Sequence, residues 1–76
     1  MKARIFGAGS IGNHLTFALR SLDFEVEVID IDNEALFRME NSIYPSRYGA
    51  WDSEINLFSN PSNNKVDLEI IGTPPD

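Results

Sequence analysis

Three glycines within six residues, Gly7-Ala8-Gly9-Ser10-Ile11-Gly12, and one later acid, Asp30, are the residues whose types and spacing point to chemistry. In a G-x-G-x-x-G run each glycine has a physical task. Gly7 permits a tight turn out of a strand, Gly9 lacks the Cβ that would keep a pyrophosphate off the backbone, and Gly12 lets the next helix pack close to the sheet. Ser10 and Ile11 open that helix, whose unpaired N–H groups and positive dipole end face the phosphates. Asp30 lies eighteen residues beyond Gly12. A carboxylate there accepts hydrogen bonds from both hydroxyls of an adenosine ribose and repels a 2′-phosphate, which predicts NAD rather than NADP as cofactor. Ile31 then flanks the adenine. The plain structural reading, a strand–helix turn plus a solvated strand end, accounts for each feature separately but not for their joint spacing.

Those residues need a frame, and the hydropathy pattern supplies one. Ala3 to Phe6 reads as a first strand, although Arg4 is an odd occupant of a central parallel strand, which usually has two apolar faces. Ser10 to Leu22 has helical spacing, with Ile11, Leu15, Ala18, Leu19 and Leu22 on one face and Asp23 closing it. Glu25 to Asp30 reads as a second strand. Asp32 caps a second helix running to about Asn41. Ser42 to Trp51 has turn formers and aromatics without a clear period and is the expected place of a short third strand. Asp52 to Phe58 reads as a turn or two of helix, residues 59–64 as a polar turn, and Val66 to Ile71 as the last strand. This order predicts an α/β class: a partial doubly wound parallel sheet, the ADP-binding half of a Rossmann domain, over residues 1–76 with no second domain. The chain stops directly after a strand where such folds normally continue, so a fragment is expected.

Composition narrows the partners. The chain has 76 residues, 12 acidic against 6 basic, and a net charge of −6, which disfavours nucleic acid and anionic membranes. An acidic chain still binds phosphate where backbone N–H groups provide the positive potential. It has no cysteine, which excludes disulfides and thiolate metal sites, and no metal site is expected. No apolar run approaches a membrane span and no signal peptide opens the chain, so a cytoplasmic protein is the default expectation.

Other residues carry weaker signals. His14, the single histidine, sits just past the glycine turn and reads as a surface group. Arg47 and Tyr48 are within reach of a ligand, with Arg47 able to pair with a 2′-phosphate, although a surface salt bridge is the commoner fate of such an arginine. Tyr44, Tyr48 and Trp51 read as packing residues. The last strand should return beside the first, bringing Thr73 and Pro74 next to the glycine turn, with Thr73 as a further hydrogen-bonding group for the cofactor. No residue set supports proton transfer at a substrate carbon, so no catalytic residue is assigned.

On three anchor points, Gly7 to Gly12, Val28-Ile29-Asp30-Ile31-Asp32 and Ile70-Ile71-Gly72-Thr73-Pro74-Pro75-Asp76, the chain resembles the N-terminal cofactor domain of Gfo/Idh/MocA-type oxidoreductases. The resemblance implies that the glycines and Asp30 bind NAD(H), with Thr73 and Pro74 on the nicotinamide side. It also implies a sugar, nucleotide-sugar or polyol substrate and a catalytic lysine beyond the end of this chain. A fuller third strand and helix and a less polar first strand are usual in that family. Two alternatives share the glycine turn: prephenate- or hydroxyacid-dehydrogenase-like cofactor domains, and nucleotide-sensing modules like potassium-channel regulatory domains. Half a doubly wound sheet leaves an edge strand and helix faces uncovered, which predicts a homo-oligomer.

Overall fold

The computed structural model describes residues 1–72. In chain order they form β1 (Lys2–Phe6), α1 (Ser10–Ser21), β2 (Glu25–Ile29), α2 (Asn33–Arg38), a π-helical turn (Met39–Ile43), α3 (Tyr44–Tyr48), β3 (Asn56–Phe58) and β4 (Leu68–Ile71). The four strands are all parallel in the order β3-β2-β1-β4. That is half of a doubly wound sheet, so the expected α/β class and partial parallel sheet hold. No helix among the described residues is long and apolar enough to cross a membrane.

Side chains alternate across the strands, and the two faces of this sheet are chemically opposite. One face presents Ala3 and Ile5 from β1 and Val26 and Val28 from β2, all buried, beneath Leu19, Leu36, Met39, Tyr44 and Ile55. This is the hydrophobic core, and the helices cover it.

Helix α1 does not meet the core with the stripe expected of it. Leu19 is buried and Leu15 partly so, but Ile11, Ala18 and Leu22 are exposed. The inward face is instead Gly12, Asn13, Thr16 and Leu19. The cause is close approach: where the helix backbone lies nearly on the glycine turn, only small or locally hydrogen-bonded side chains fit. Thr16 accordingly returns its hydroxyl proton to the Gly12 carbonyl at 2.7 Å. At the other end Asp23, at φ 63°, closes the helix. Its N–H donates to the Arg20 carbonyl and that of Phe24 to the Leu19 carbonyl, both at 3.0 Å, a Schellman closure with aspartate in the usual glycine position.

The stretch between the second helix and the last strand departs most from expectation. Ser42 to Tyr48 is helical rather than extended, and β3 falls within Asp52 to Phe58, where helix was expected. Pro45 has no N–H to give, and here it stands in the first turn of α3, where none is required. The π turn before it absorbs the mismatch and keeps one helical path from Asn33 to Tyr48. Phe17 and Tyr48 stack with centroids 4.0 Å apart, and Tyr44 meets Trp51 edge-on at 5.3 Å, so the aromatics serve packing, as expected. Burial pushes up the pKa of the Tyr44 hydroxyl.

The opposite face explains Arg4. In register across the sheet stand Glu27, Arg4 and Glu69. Arg4 donates through Nε to Glu27, through Nη1 to Glu69 and through Nη2 to the Ser62 hydroxyl and the Asn64 carbonyl. Ser62 and Asn64 in turn donate to the two oxygens of Glu27 at 2.6 and 3.0 Å. Residues 59–67 thus cover this face with a polar loop in place of a helix, and the buried charges have partners on every side. Burial raises the Glu27 carboxyl pKa, but hydrogen bonds from Ser62, Asn64 and Arg4 outweigh it and hold it below the ordinary value. Replacing Glu27 with alanine takes away the one buried carboxylate of Arg4, leaving it the exposed Glu69, and should cost on the order of 3 kcal/mol in chemical denaturation. A group with a depressed folded-state pKa contributes stability that is complete above its ordinary value of 4.5 and lost as pH falls below it. Wild-type melting temperature should therefore drop through that acid range, and the drop should shrink in Glu27→Gln.

Candidate functional site

The site begins where β1 ends. Gly7 has φ 114°, a conformation costly for any residue with a Cβ. Its N–H closes onto the Ile29 carbonyl at 2.8 Å. This bend turns the chain from the central strand straight into α1, with Gly9 as the residue preceding the helix.

Gly7 and Gly12 do the structural work the sequence predicts for them, one in the turn and one in close packing. A Cβ built on Gly12 would lie 1.9 Å from the Gly7 carbonyl oxygen, an impossible contact. A Cβ on Gly9 would meet nothing within 4 Å and would project into open space. Gly12 is bare because the protein needs the room, whereas Gly9 leaves room that the protein does not use. That open, Cβ-free backbone is what a diphosphate requires. The first turn of α1 carries no acidic side chain and has no side-chain cap, so its N–H groups remain available to anionic oxygens.

Asp30 points at this bend. Its Oδ2 accepts from the Ala8 N–H at 2.9 Å and its Oδ1 from the Asp32 N–H at 2.9 Å. Each oxygen keeps a lone pair, so the carboxylate is oriented yet can accept from hydroxyl groups. Asp32 behaves as the expected cap, accepting from the Glu34 N–H at 2.9 Å. Ile31 is 86% exposed between them. Glycine turn, helix terminus and acid are therefore brought together.

The last strand also returns as expected. A Cβ on Gly72 would sit 3.2 Å from the Gly12 Cα, so the carboxyl end of β4 lies against the glycine turn. Thr73 and Pro74, expected next to it, lie outside the described residues. His14 is exposed, as anticipated.

Two residues were misjudged or missed. Arg47, for which a surface salt bridge is the commoner expectation, makes none among the described residues; it donates to the carbonyl and hydroxyl of Ser10 at 3.1 and 2.8 Å. Asn13 is fully buried, and its Nδ2 donates to the Ala8 and Gly9 carbonyls at 3.0 and 2.8 Å, bracing the turn from beneath. Its Oδ1 has no partner among the described residues. The signal for Asn13 was a polar residue on the same helical face as Gly12, Thr16 and Leu19; an apolar stripe drew attention to the wrong side.

Gly12→Ala should destabilise the fold by about 1–3 kcal/mol, the usual cost of overpacking a filled interior. Gly9→Ala, at φ −82°, should change stability by no more than about 0.5 kcal/mol. Thermal melts of the two variants test this division; equal losses would contradict it. Comparison with protein-family models, curated proteins and solved structures finds no match to this chain.

Proposed function

We propose that this chain is the ADP-binding portion of an NAD-dependent oxidoreductase of the Gfo/Idh/MocA type. The observation that carries the dinucleotide reading is the Asp30 carboxylate held on the Ala8 N–H at 2.9 Å, which puts a hydroxyl acceptor beside a bare anion-accepting bend. Gly7, Gly9, Ser10, Ile11 and Gly12 would take the pyrophosphate, Asp30 the adenosine ribose, and exposed Ile31 the edge of the adenine. Thr73 and Pro74 belong to the same reading on the nicotinamide side, which is supported by the position of Gly72 against Gly12. The nicotinamide, when bound, accepts or donates hydride; the residues of this chain bind and orient its adenosine end.

The substrate class, a sugar, nucleotide-sugar or polyol hydroxyl or carbonyl, is supported by the three-point resemblance in sequence. The prephenate- or hydroxyacid-dehydrogenase-like and nucleotide-sensing alternatives share the bend and the acid. No feature of the site favours either of them.

A homo-oligomer belongs to the same proposal. On the edge strand Ile71 is 76% exposed and Leu68 39% exposed, and the α1 stripe leaves Ile11 51% and Leu22 69% exposed. Sedimentation of the protein at rising concentration should show self-association, and a monomer throughout would refute it.

Calorimetric titration should show NAD(H) binding more tightly than NADP(H), because a 2′-phosphate would face the Asp30 charge. Asp30→Ala should weaken NAD(H) binding by about 1–3 kcal/mol and narrow the preference. Tighter binding of NADP(H) by the wild-type protein would overturn the cofactor assignment. In a full-length protein that carries this chain, binding of NADH without absorbance change across sugars and polyols would favour the nucleotide-sensing alternative.

A further inference from the structure

Arginine at the amino end of a helix is electrostatically misplaced. The N-terminus carries the positive end of the backbone dipole, so anions stabilise it and cations do not. Yet Arg47 sets its guanidinium on Ser10, the first residue of the 12-residue α1. Arg4, Arg20 and Arg38 each have a carboxylate within 4.0 Å, whereas Arg47 has none among the described residues. In a chain with twelve acidic side chains, an unpaired guanidinium against a helix's positive end is an arrangement completed by an anion.

Its placement is built. Tyr48, the next residue, stacks on Phe17 of α1 with ring planes 3° apart. The π turn and Pro45 set the path of α3 that brings Arg47 across to α1. Beneath the same bend, fully buried Asn13 holds the Ala8 and Gly9 carbonyls through its amide nitrogen and so fixes the backbone that Arg47 faces.

We infer that Arg47 is a side-chain ligand of the diphosphate, a clamp that adds a guanidinium to the N–H groups of the glycine bend. This rests on the dinucleotide reading and deepens it. A guanidinium presents a planar fork of N–H donors suited to phosphate oxygens, and phosphate competes well with the neutral serine oxygens it now contacts. Position also separates this role from recognition of a 2′-phosphate. Arg47 bonds Ser10, at the helix start where the diphosphate belongs, whereas Asp30 marks the ribose end at Ala8.

Titrations of the full chain with ADP, adenosine, NAD and NADP test the clamp in wild type, Arg47→Ala and Arg47→Lys, with circular dichroism melts for each. Arg47→Ala should bind ADP and NAD about ten- to a hundredfold more weakly and adenosine unchanged, with Arg47→Lys between. The ADP affinity of Arg47→Ala should also depend less on salt than that of wild type. Unchanged ADP affinity in Arg47→Ala, with loss in Asp30→Ala, would overturn the clamp and leave the dinucleotide reading standing. Equal weakening of ADP and adenosine would assign Arg47 a structural role only. A loss confined to NADP would move the arginine to the 2′-phosphate, also against the proposal. Absence of ADP and NAD binding in a folded wild-type protein would remove both the reading and the clamp.

Discussion

The contact on which everything near the site depends is the one between Gly12 and the Gly7 carbonyl. Because a Cβ at Gly12 would stand 1.9 Å from that oxygen, the first turn of α1 rests directly on the bend that precedes it. This fixes the helix relative to the central strand. It also decides which side of α1 faces inward, and so makes Asn13 and Thr16 interior residues. The end of β4 closes on the same point, since a Cβ on Gly72 would stand 3.2 Å from the Gly12 Cα. Two crossings of the chain meet where side chains would prevent them, and the open backbone at Gly9 is left on the outer side. Ligand-accessible amides and a close-packed interior are thus two consequences of one bare stretch of chain.

The reverse face of the sheet obeys a different constraint. A central strand in a parallel sheet normally buries apolar side chains on both sides, and β1 does so on one. On the other, residues 59–67 carry no regular structure to bring a hydrophobic surface. The face is made polar and satisfied internally. Glu27 and Glu69 flank Arg4 in register, and Ser62 and Asn64 fill the remaining hydrogen bonds. Two residues further along the same strands, the row becomes apolar, with Phe6 between Ile29 and Ile71. Polarity therefore changes along the strands toward their carboxyl ends, and the end that bears the glycine bend is the greasier one.

Much of this was legible in the residues themselves. The strand–bend–helix at Gly7 to Gly12, the acid at Asp30 and the cap at Asp32 follow from steric and hydrogen-bonding rules that act within a few positions, and all three stand where local chemistry puts them. What was not legible depends on distant partners. Arg4 looked wrong in a strand because Glu69 and Ser62, which satisfy it, are 65 and 58 positions away. The segment from Ser42 to Phe58 was assigned in the wrong order because aromatics and a proline read locally as extended chain. Its helical state is set by Tyr44 and Tyr48 packing on Phe17, contacts that no window of a dozen residues contains.

That misassigned segment connects the core to the site. Tyr44 is buried among the core residues, Tyr48 stacks on α1, and Arg47 lies between them in sequence. Arg20, on α1 itself, is tied to Asp52 at 2.7 Å just beyond α3. The Asp52 carboxyl, which burial would raise, is held below its ordinary pKa by Arg20 and by the Glu54 N–H. Helix α1 is therefore gripped along its length from one side, by a stacked ring pair near its middle and an ion pair near its end. The backbone that carries Arg47 is fixed by those contacts, and its exposed side chain reaches back to Ser10 at the start of the helix.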